Sequence, residues 1–476
     1  MKNRSRKFKT SILLLIIVFL TSLVPSLPAV FASTNQPIEI DIPPLYATPP
    51  DIEWEKTFSG SYTDTGYSVQ QTNDGGFVIV GAITGDVCLI KTDISGNQMW
   101  SKTFDGSGAG YEYSGQQTSD GGFVIVGSNM FIKTDASGNQ LWSKILDSSG
   151  DNRAYSIQQT SDGGFVITGS TSSSSAGGYD VYLIKTDALG NQQWSKTFGG
   201  PQSDWGRSVQ QTTDGGFIIA GYTRSFGAGH NDVYLVKTDA SGNQLWSKTF
   251  GGSGDDRAYS IQQTSDSGFI ITGYTYSFGA GRWDVYLVKT DASGNQMWSQ
   301  TFGDSNEDGG FSVQQITDGG FVIAGYRNFQ GYIIKTDVSG NQMWSQTFGS
   351  DGGYACAYSV QQTSDGGFVI TGHISSSDDG EGVYLMKIAA EAPNFTSNPA
   401  TTPMSTSTST SSSTPTWLIG GIGGGIALVM ILVFIAIDKK SGKKRVINAS
   451  IRQLKSQMEK WRAEGYDVSD LEDLFR

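Results

Sequence analysis

The sequence predicts an all-β protein whose main body is a seven-bladed β-propeller of four-stranded antiparallel blades, and three observations carry that prediction. Seven Trp, at 54, 100, 142, 194, 246, 298 and 344, recur at intervals of 42 to 52 residues, each opening a W-x-x-T-F run or a close variant. Seven Gln-Gln pairs begin at Gln70, Gln116, Gln158, Gln210, Gln262, Gln314 and Gln361, each followed by D-G-G-F or D-S-G-F. Each unit then reaches a run like V-Y-L-I-K-T-D, and in all but the last unit a Trp follows. Four short β-type runs at this period are the pattern of a propeller blade.

Each run has a physical reason to be a strand. S-V-Q-Q-T (strand A), G-F-V-I-V-G (B), V-Y-L-I-K (C) and W-x-x-T-F (D) are short, rich in β-branched and aromatic residues, and bounded by Gly, Asp and Asn. Strands B and C are nearly continuous apolar runs, as expected where neighbouring blades cover both faces. S-D-G-G supplies the A–B turn, and D-A-S-G-N the C–D hairpin, with Gly at the left-handed position.

The count of strands predicts how the ring closes. The chain enters on a lone D strand, 52–58, and leaves after a C strand, 383–388, with no Trp behind it. The N-terminal strand should therefore complete blade 7 and remove the free edge of an open ring. The propeller spans 51–389, with blades starting near 67, 113, 155, 207, 259, 311 and 358.

The full motif, D-x-A-x-S-(V/I)-x-x-T-x-D-G-G-F-(V/I)-(V/I)-x-G through D-V-Y-L-(I/V)-K-T-D-x-x-G-N-x-x-W-S-K-T-F-G-G, resembles the SBBP-type β-propeller repeats of prokaryotic surface and secreted proteins. It resembles the PQQ-type blades more distantly. Asp239 to Gly242 is one residue shorter than the quinoprotein spacing and no adjacent Cys pair accompanies it, so no cofactor is expected.

The flanks predict display at a membrane. Residues 1–32 read as a signal peptide: five cationic residues, the apolar run S-I-L-L-L-I-I-V-F-L, then Val30-Phe31-Ala32 at the cleavage site. A linker, 33–50, leads into the propeller. Residues 390–416 form a Ser/Thr/Pro-rich stalk with a glycosylation sequon at Asn394. The uncharged run 417–437 is long enough to cross a membrane, and D-K-K-S-G-K-K-R behind it predicts a cytoplasmic tail, 438–476, and an extracellular propeller. G-x-x-x-G spacings in the span and a 4-3-4-3 apolar pattern in the tail, predicted to be a short helix, are compatible with a homodimer.

Between 33 and 416 the chain holds 18 Lys+Arg against 38 Asp+Glu, a net of −20, which excludes nucleic acid as a natural partner. Two cysteines, Cys88 and Cys356, are expected as free thiols, because C and A strands stand too far apart to bridge.

Chemistry is sought where the copies differ. Strand parity puts the near-identical A–B and C–D turns on one face and the variable B–C and D–A loops on the other. The B–C loops are short in blades 1, 2 and 6, and long in 3, 4, 5 and 7. Arg224, Phe226, His230 and Asn231 in blade 4, Tyr276, Phe278, Arg282 and Trp283 in blade 5, and Trp205 on the preceding D–A loop offer aromatic area ringed by hydrogen-bonding groups, suited to a sugar ring or a peptide. The alternative, that Phe226 and Phe278 pack their own loops, stays open. Asp304, Asn306 and Asp308 copy the start of a calcium loop without its closing Glu, and the recurrence of Asp64, Asp204 and Asp256 at the same place favours a backbone cap. The seven Trp are expected to be packing residues. The expected function is a membrane-anchored cell-surface module that binds protein or glycan. The alternatives are a structural cell-envelope component and, third, a glycan-processing enzyme, for which no convergent catalytic motif is present.

Overall fold

In a computed structural model, the protein is described over residues 48–58, 64–105, 112–146, 151–173, 177–349, 352–376 and 380–391. These residues form 28 strands in seven four-stranded antiparallel sheets. Blade 1 runs Thr65–Gln71, Phe77–Ile83, Asp86–Thr92 and Gln98–Phe104 as strands A to D. The same order repeats in blades 2 (from Tyr113), 3 (from Asn152), 4 (from Asp204), 5 (from Asp256), 6 (from Asp308) and 7 (from Tyr354). Strand Ile52–Phe58 takes the D place of blade 7, pairing with Gly380–Ile388 from Ile52 opposite Ile388 to Phe58 opposite Val383. The Tyr384 hydroxyl donates to Glu55 at 2.6 Å across this closure. The signal peptide, most of the linker, the stalk with Asn394, the run 417–437 and the tail lie outside the described residues. Among the described residues no helix is long and apolar enough to cross a membrane.

The core lies between blades, and the period of a strand explains why. In strand B of blade 1, Phe77 and Ile79 join Phe58, Val383 and Leu385 toward blade 7, while Val78 and Val80 join Phe123 and Ile125 toward blade 2. Alternate residues leave opposite faces, so a sheet covered on both sides must be apolar at every position. The D-strand Trp crosses the same boundary. Trp54 meets Phe77, Trp100 Phe123, Trp194 Phe217, Trp246 Phe269, Trp298 Phe321 and Trp344 Phe368, with centroids 5.8–6.1 Å apart. Trp142 instead reaches Phe131 at 4.8 Å, which in turn touches Phe165. These Phe side chains are fully buried, and truncating one costs about 3–5 kcal/mol.

The Gln-Gln pairs solve an edge problem. Strand A is the innermost strand, so the N–H groups on its channel side have no ladder partner. The first Gln of each pair accepts from the backbone N–H of the second Gln in the next blade, from Gln70 with Gln117 at 2.7 Å round to Gln361 with Gln71 at 2.6 Å. The Ser before them does the same, as where Val209 N–H donates to Ser156 Oγ at 3.2 Å. At about 1 kcal/mol per neutral bond, the repeated Ser and Gln stitch the ring together.

A second ladder holds the turn face. Lys185, at the end of a C strand and 6% exposed, pairs with Asp162 of the A–B turn at 2.8 Å and donates to its neighbour Thr186 O. The same pair recurs in every blade, from Lys91 with Asp74 to Lys387 with Asp365. Burial raises the Asp162 carboxyl, but hydrogen bonds from Lys185, Thr160 and the Gly164 N–H prevail and bring it to about 2. Because the A–B turn and the end of strand C meet here, the parity assignment of the two faces holds. Cys88 and Cys356 are free and buried, and burial pushes each thiol up to about 12.

One difference from the sequence expectation shapes the site. In every blade but the second the A strand begins upstream of its expected start, at Thr65, Asn152, Asp204, Asp256, Asp308 and Tyr354 instead of 67, 155, 207, 259, 311 and 358, so Trp205, expected on a D–A loop, lies on strand A of blade 4. Each carries an extra residue: in blade 3 Ala154 faces Gly169 and Ser156 faces Thr168, leaving Tyr155 unpaired. A bulge bends the strand and re-aims its side chain, and period-2 reading does not anticipate one.

Candidate binding face

The bulge recurs at Tyr67, Tyr155, Arg207, Tyr259, Phe311 and Tyr358. It turns two successive residues, the bulged one and the Ser after it, toward the channel, where they line a cavity of about 170 Å³ at the loop-face mouth. The bulged side chains form an almost continuous circuit. Tyr67 meets Tyr358 at 5.3 Å, Tyr358 meets Phe311 at 5.1 Å, and Phe311 meets Tyr259 at 5.1 Å. Arg207 closes it, its guanidinium 4.9 Å from the Tyr259 ring and 4.2 Å from that of Tyr155.

Blade 2 breaks the pattern. Its A strand is the shorter Tyr113–Gln117 and pairs without a bulge. The residue before it, Glu112, enters the cavity and accepts from Arg207 Nη2 at 2.6 Å. Burial raises the Glu112 carboxyl and Arg207 works against that rise.

Above the ring an aromatic and arginine ladder crosses blades 3 to 5. Tyr179 stacks on Trp205 at 6.3 Å, and Trp205 lies 4.7 Å from Tyr222. Arg257 is 4.8 Å from the Tyr222 ring and 5.5 Å from Tyr274, and Tyr274 stacks on Trp283 at 5.1 Å. Arg224 covers Trp205 at 5.7 Å. One carboxylate and an amide fix the cations: Arg257 pairs with Asp255 at 2.7 Å, and Arg224 donates to Asn231, whose amide N–H donates to Asp255 at 2.6 Å.

The structure thus brings Trp205, Arg224, Asn231 and Trp283 into one assembly and sorts the other expected site residues differently. Phe226 and Phe278 pack on Tyr234 and Tyr286 of their own blades, at 5.6 and 5.7 Å, and remain about half exposed. Tyr276 and Arg282 are exposed, Arg282 reaching Glu307 at 3.3 Å, and the His230 side chain is open to solvent while its N–H donates to Gly254 O. Tyr155, Arg207 and Glu112 were not legible as site residues, because their convergence depends on the bulges and on the one blade that lacks one. Tyr179 from the long B–C loop of blade 3, Tyr222 opposite Trp205 and Arg257 opposite Tyr274 join the ladder through stacking across strands and blades. The signal available in sequence was Arg207, standing where its equivalents are aromatic.

The two cations are segregated by role. All 12 Lys between 33 and 416 lie on C or D strands. Seven form the buried pairs with Asp described above. The other five, such as Lys196 with Asn243 at 3.3 Å, reach the C–D turn of the next blade. All six Arg of the same stretch, Arg153, Arg207, Arg224, Arg257, Arg282 and Arg327, lie at the loop face of blades 3 to 6. A planar fork of donors that stacks on rings suits recognition, whereas a flexible point charge suits the repeated pair.

Asp304, Asn306 and Asp308 form a loop cap. Asp308 accepts from the Asp304 N–H at 2.8 Å, as Asp204 does from Gly200 and Asp256 from Gly252. Asp304 is engaged by Asn306 and, at 3.0 Å, by Arg327. Among the described residues no three His, Cys, Asp or Glu side chains are grouped to hold a metal ion. Burial, with Asp304 nearby, lifts Asp308 to about 6. Its native pKa exceeds the unfolded value of about 4, so its charge costs stability as pH rises through that window and beyond. Asp308→Asn, which keeps an acceptor for the cap and matches Asn152 in blade 3, is expected to raise stability at pH 7 by on the order of 1 kcal/mol and to remove this loss. Urea unfolding at pH 4 and pH 7 checks both.

The architecture defines a seven-bladed β-propeller with one uniform and one differentiated face, a fold that commonly mediates protein binding. No known family profile matches the chain. The regulatory protein FlaEY of Caulobacter vibrioides is 26% identical over 175 residues, covering 31% of this chain and 18% of that protein, so the chain matches under a fifth of that relative's length. Among solved structures, YCF48 bound to D1 peptide matches 72% of this chain and 98% of its own, with a TM-score of 0.46 and 13% identity. The WD40 domain of Neurospora crassa Pan2 matches 70% and 98%, with a TM-score of 0.45 and 12% identity.

Proposed function

We propose that the protein is a membrane-anchored cell-surface propeller that binds protein or glycan through the loop face of blades 3 to 5, as a binding module rather than an enzyme. The observation that carries this reading is the confinement of all six propeller Arg to the loop face, where they interleave with Tyr and Trp, while the Lys serve the repeat. Stacked rings offer apolar area at low entropic cost and guanidinium groups fix orientation, the composition of interface hot spots. Display outside the cell rests on the signal-like N-terminus, the stalk, the uncharged run 417–437 and the resemblance to SBBP-type surface repeats.

The test replaces Trp205, Arg224, Arg282 and Trp283 with Ser in the full-length protein and probes glycan and peptide arrays. These side chains lie outside the inter-blade clusters, so the variant is expected to melt near the parent while losing array binding by tenfold or more. Replacing Phe226 and Phe278, which pack on their own blades, should lower binding far less. Undiminished binding by the fourfold variant overturns the assignment of the face. The parent protein should also resist alkaline extraction from membranes and become soluble when 417–437 is deleted. Release of the intact chain by alkali overturns the anchor.

A further inference from the structure

Arg207 is held in a way that suits reading an anion. Five of the six bulges turn an aromatic side chain into the channel and one turns Arg207, so ring packing alone does not require a cation there. The Arg207 side chain is only 9% exposed, and its guanidinium is set between Tyr155 and Tyr259. A guanidinium fork engages a carboxylate best through two parallel N–H donors. Here Nη2 meets one oxygen of Glu112, and the buried Nε has no hydrogen-bond acceptor. Glu112 reaches in from the one blade without a bulge and keeps 35% of its side chain open to the cavity of about 170 Å³.

We propose that the loop-face mouth of the channel is a carboxylate-binding pocket read by Arg207, in which Glu112 is a tethered occupant that an acidic side chain of a polypeptide partner displaces. This deepens the reading of the loop face as a binding surface and rests on it. The occupant already present fixes the ligand class: a Glu side chain has the length and charge the pocket accepts, and the exchange replaces one ion pair by another. Leaving Arg207 without any carboxylate would strand a buried charge, so the pocket is never cheaply empty. The Arg and aromatic ladder directly above supplies the surface on which the rest of such a partner rests.

The experiment uses full-length Glu112→Ala and Arg207→Tyr, the latter restoring the majority residue of the ring. Glu112→Ala is expected to melt below the parent and to be restored saturably by acetate, with acetamide or chloride at equal ionic strength giving no such recovery. Acetate should leave Arg207→Tyr unmoved. The peptide Gly-Gly-Glu-Gly-Gly, capped at both ends, should bind Glu112→Ala at least tenfold tighter than the parent, its Gln counterpart should not bind, and Arg207→Tyr should bind neither. Where Glu112→Ala does not fold, Glu112→Gln replaces it with the same expectation for the peptides. Acetate indifference of Glu112→Ala, equal affinity for the Glu and Gln peptides, or acetate rescue with no peptide binding each overturns the proposal. If Arg207→Tyr keeps full array binding while the fourfold loop variant loses it, the pocket fails and the binding face stands. If neither loses it, the face itself is wrong.

Discussion

Deleting Asp51–Phe58 is expected to lower the melting temperature of the propeller by on the order of 10 °C or more and to make it aggregate through the opened edge. The strand supplies the whole outer edge of blade 7: its removal unpairs Val383–Ile388, exposes an apolar strand along its hydrogen-bonding edge, and withdraws Phe58 and Trp54 from the core between blades 7 and 1. Burial of those two aromatics is worth roughly 2–3 kcal/mol each, before the ladder bonds are counted. A synthetic peptide of residues 51–58 added in trans should recover part of the loss, since a strand can join an open edge as a separate chain. Scanning calorimetry and light scattering give the result. A truncated protein that stays monomeric with unchanged melting shows that the ring does not depend on this closure.

Gly242→Ala is expected to cost about 2–4 kcal/mol, and Gly215→Ala only about 1 kcal/mol, although both backbones sit at nearly the same positive φ. Gly242, in a C–D turn, has φ 77°, and a Cβ there would stand 2.6 Å from Trp194 Cζ3 of the preceding blade. Gly215, in an A–B turn, has φ 82° with nothing within 4 Å of the same atom. The difference therefore isolates the contact that locks one blade onto the next. Urea unfolding of both variants measures it, and pairing Gly242→Ala with Trp194→Ala should erase most of the excess. Equal costs at the two sites would show that the turn conformation alone demands glycine.

The repeat was legible because its causes are local. Apolar residues at every position of strands B and C state that both faces are covered, and the unpaired D strand at one end with a missing one at the other states how the ring closes. The Gln pairs fall on strand A by the same count, and once that strand is innermost their bonding follows from the need to satisfy an edge. Of the candidate binding face, the loops that differ between blades and four residues that the structure brings together, Trp205, Arg224, Asn231 and Trp283, were readable from loop length and composition. Phe226 and Phe278 were readable only as aromatic, and it took their packing on Tyr234 and Tyr286 to separate them from the ladder.

By itself, then, the sequence determined the number of blades, the strand order within each, the closing strand and the face on which the copies diverge. Each depends on patterns that recur within about 50 residues and on hydrogen-bonding demands that any strand carries. The tertiary structure alone decided what stands at the mouth of the channel. Glu112 and Arg207 are 95 residues apart and belong to blades that are not neighbours, so only ring closure brings them to 2.6 Å. The rings between which Arg207 lies point inward because a single extra residue in each A strand shifts the alternation of its side chains, a displacement set by pairing with strand B and invisible in any one strand's pattern.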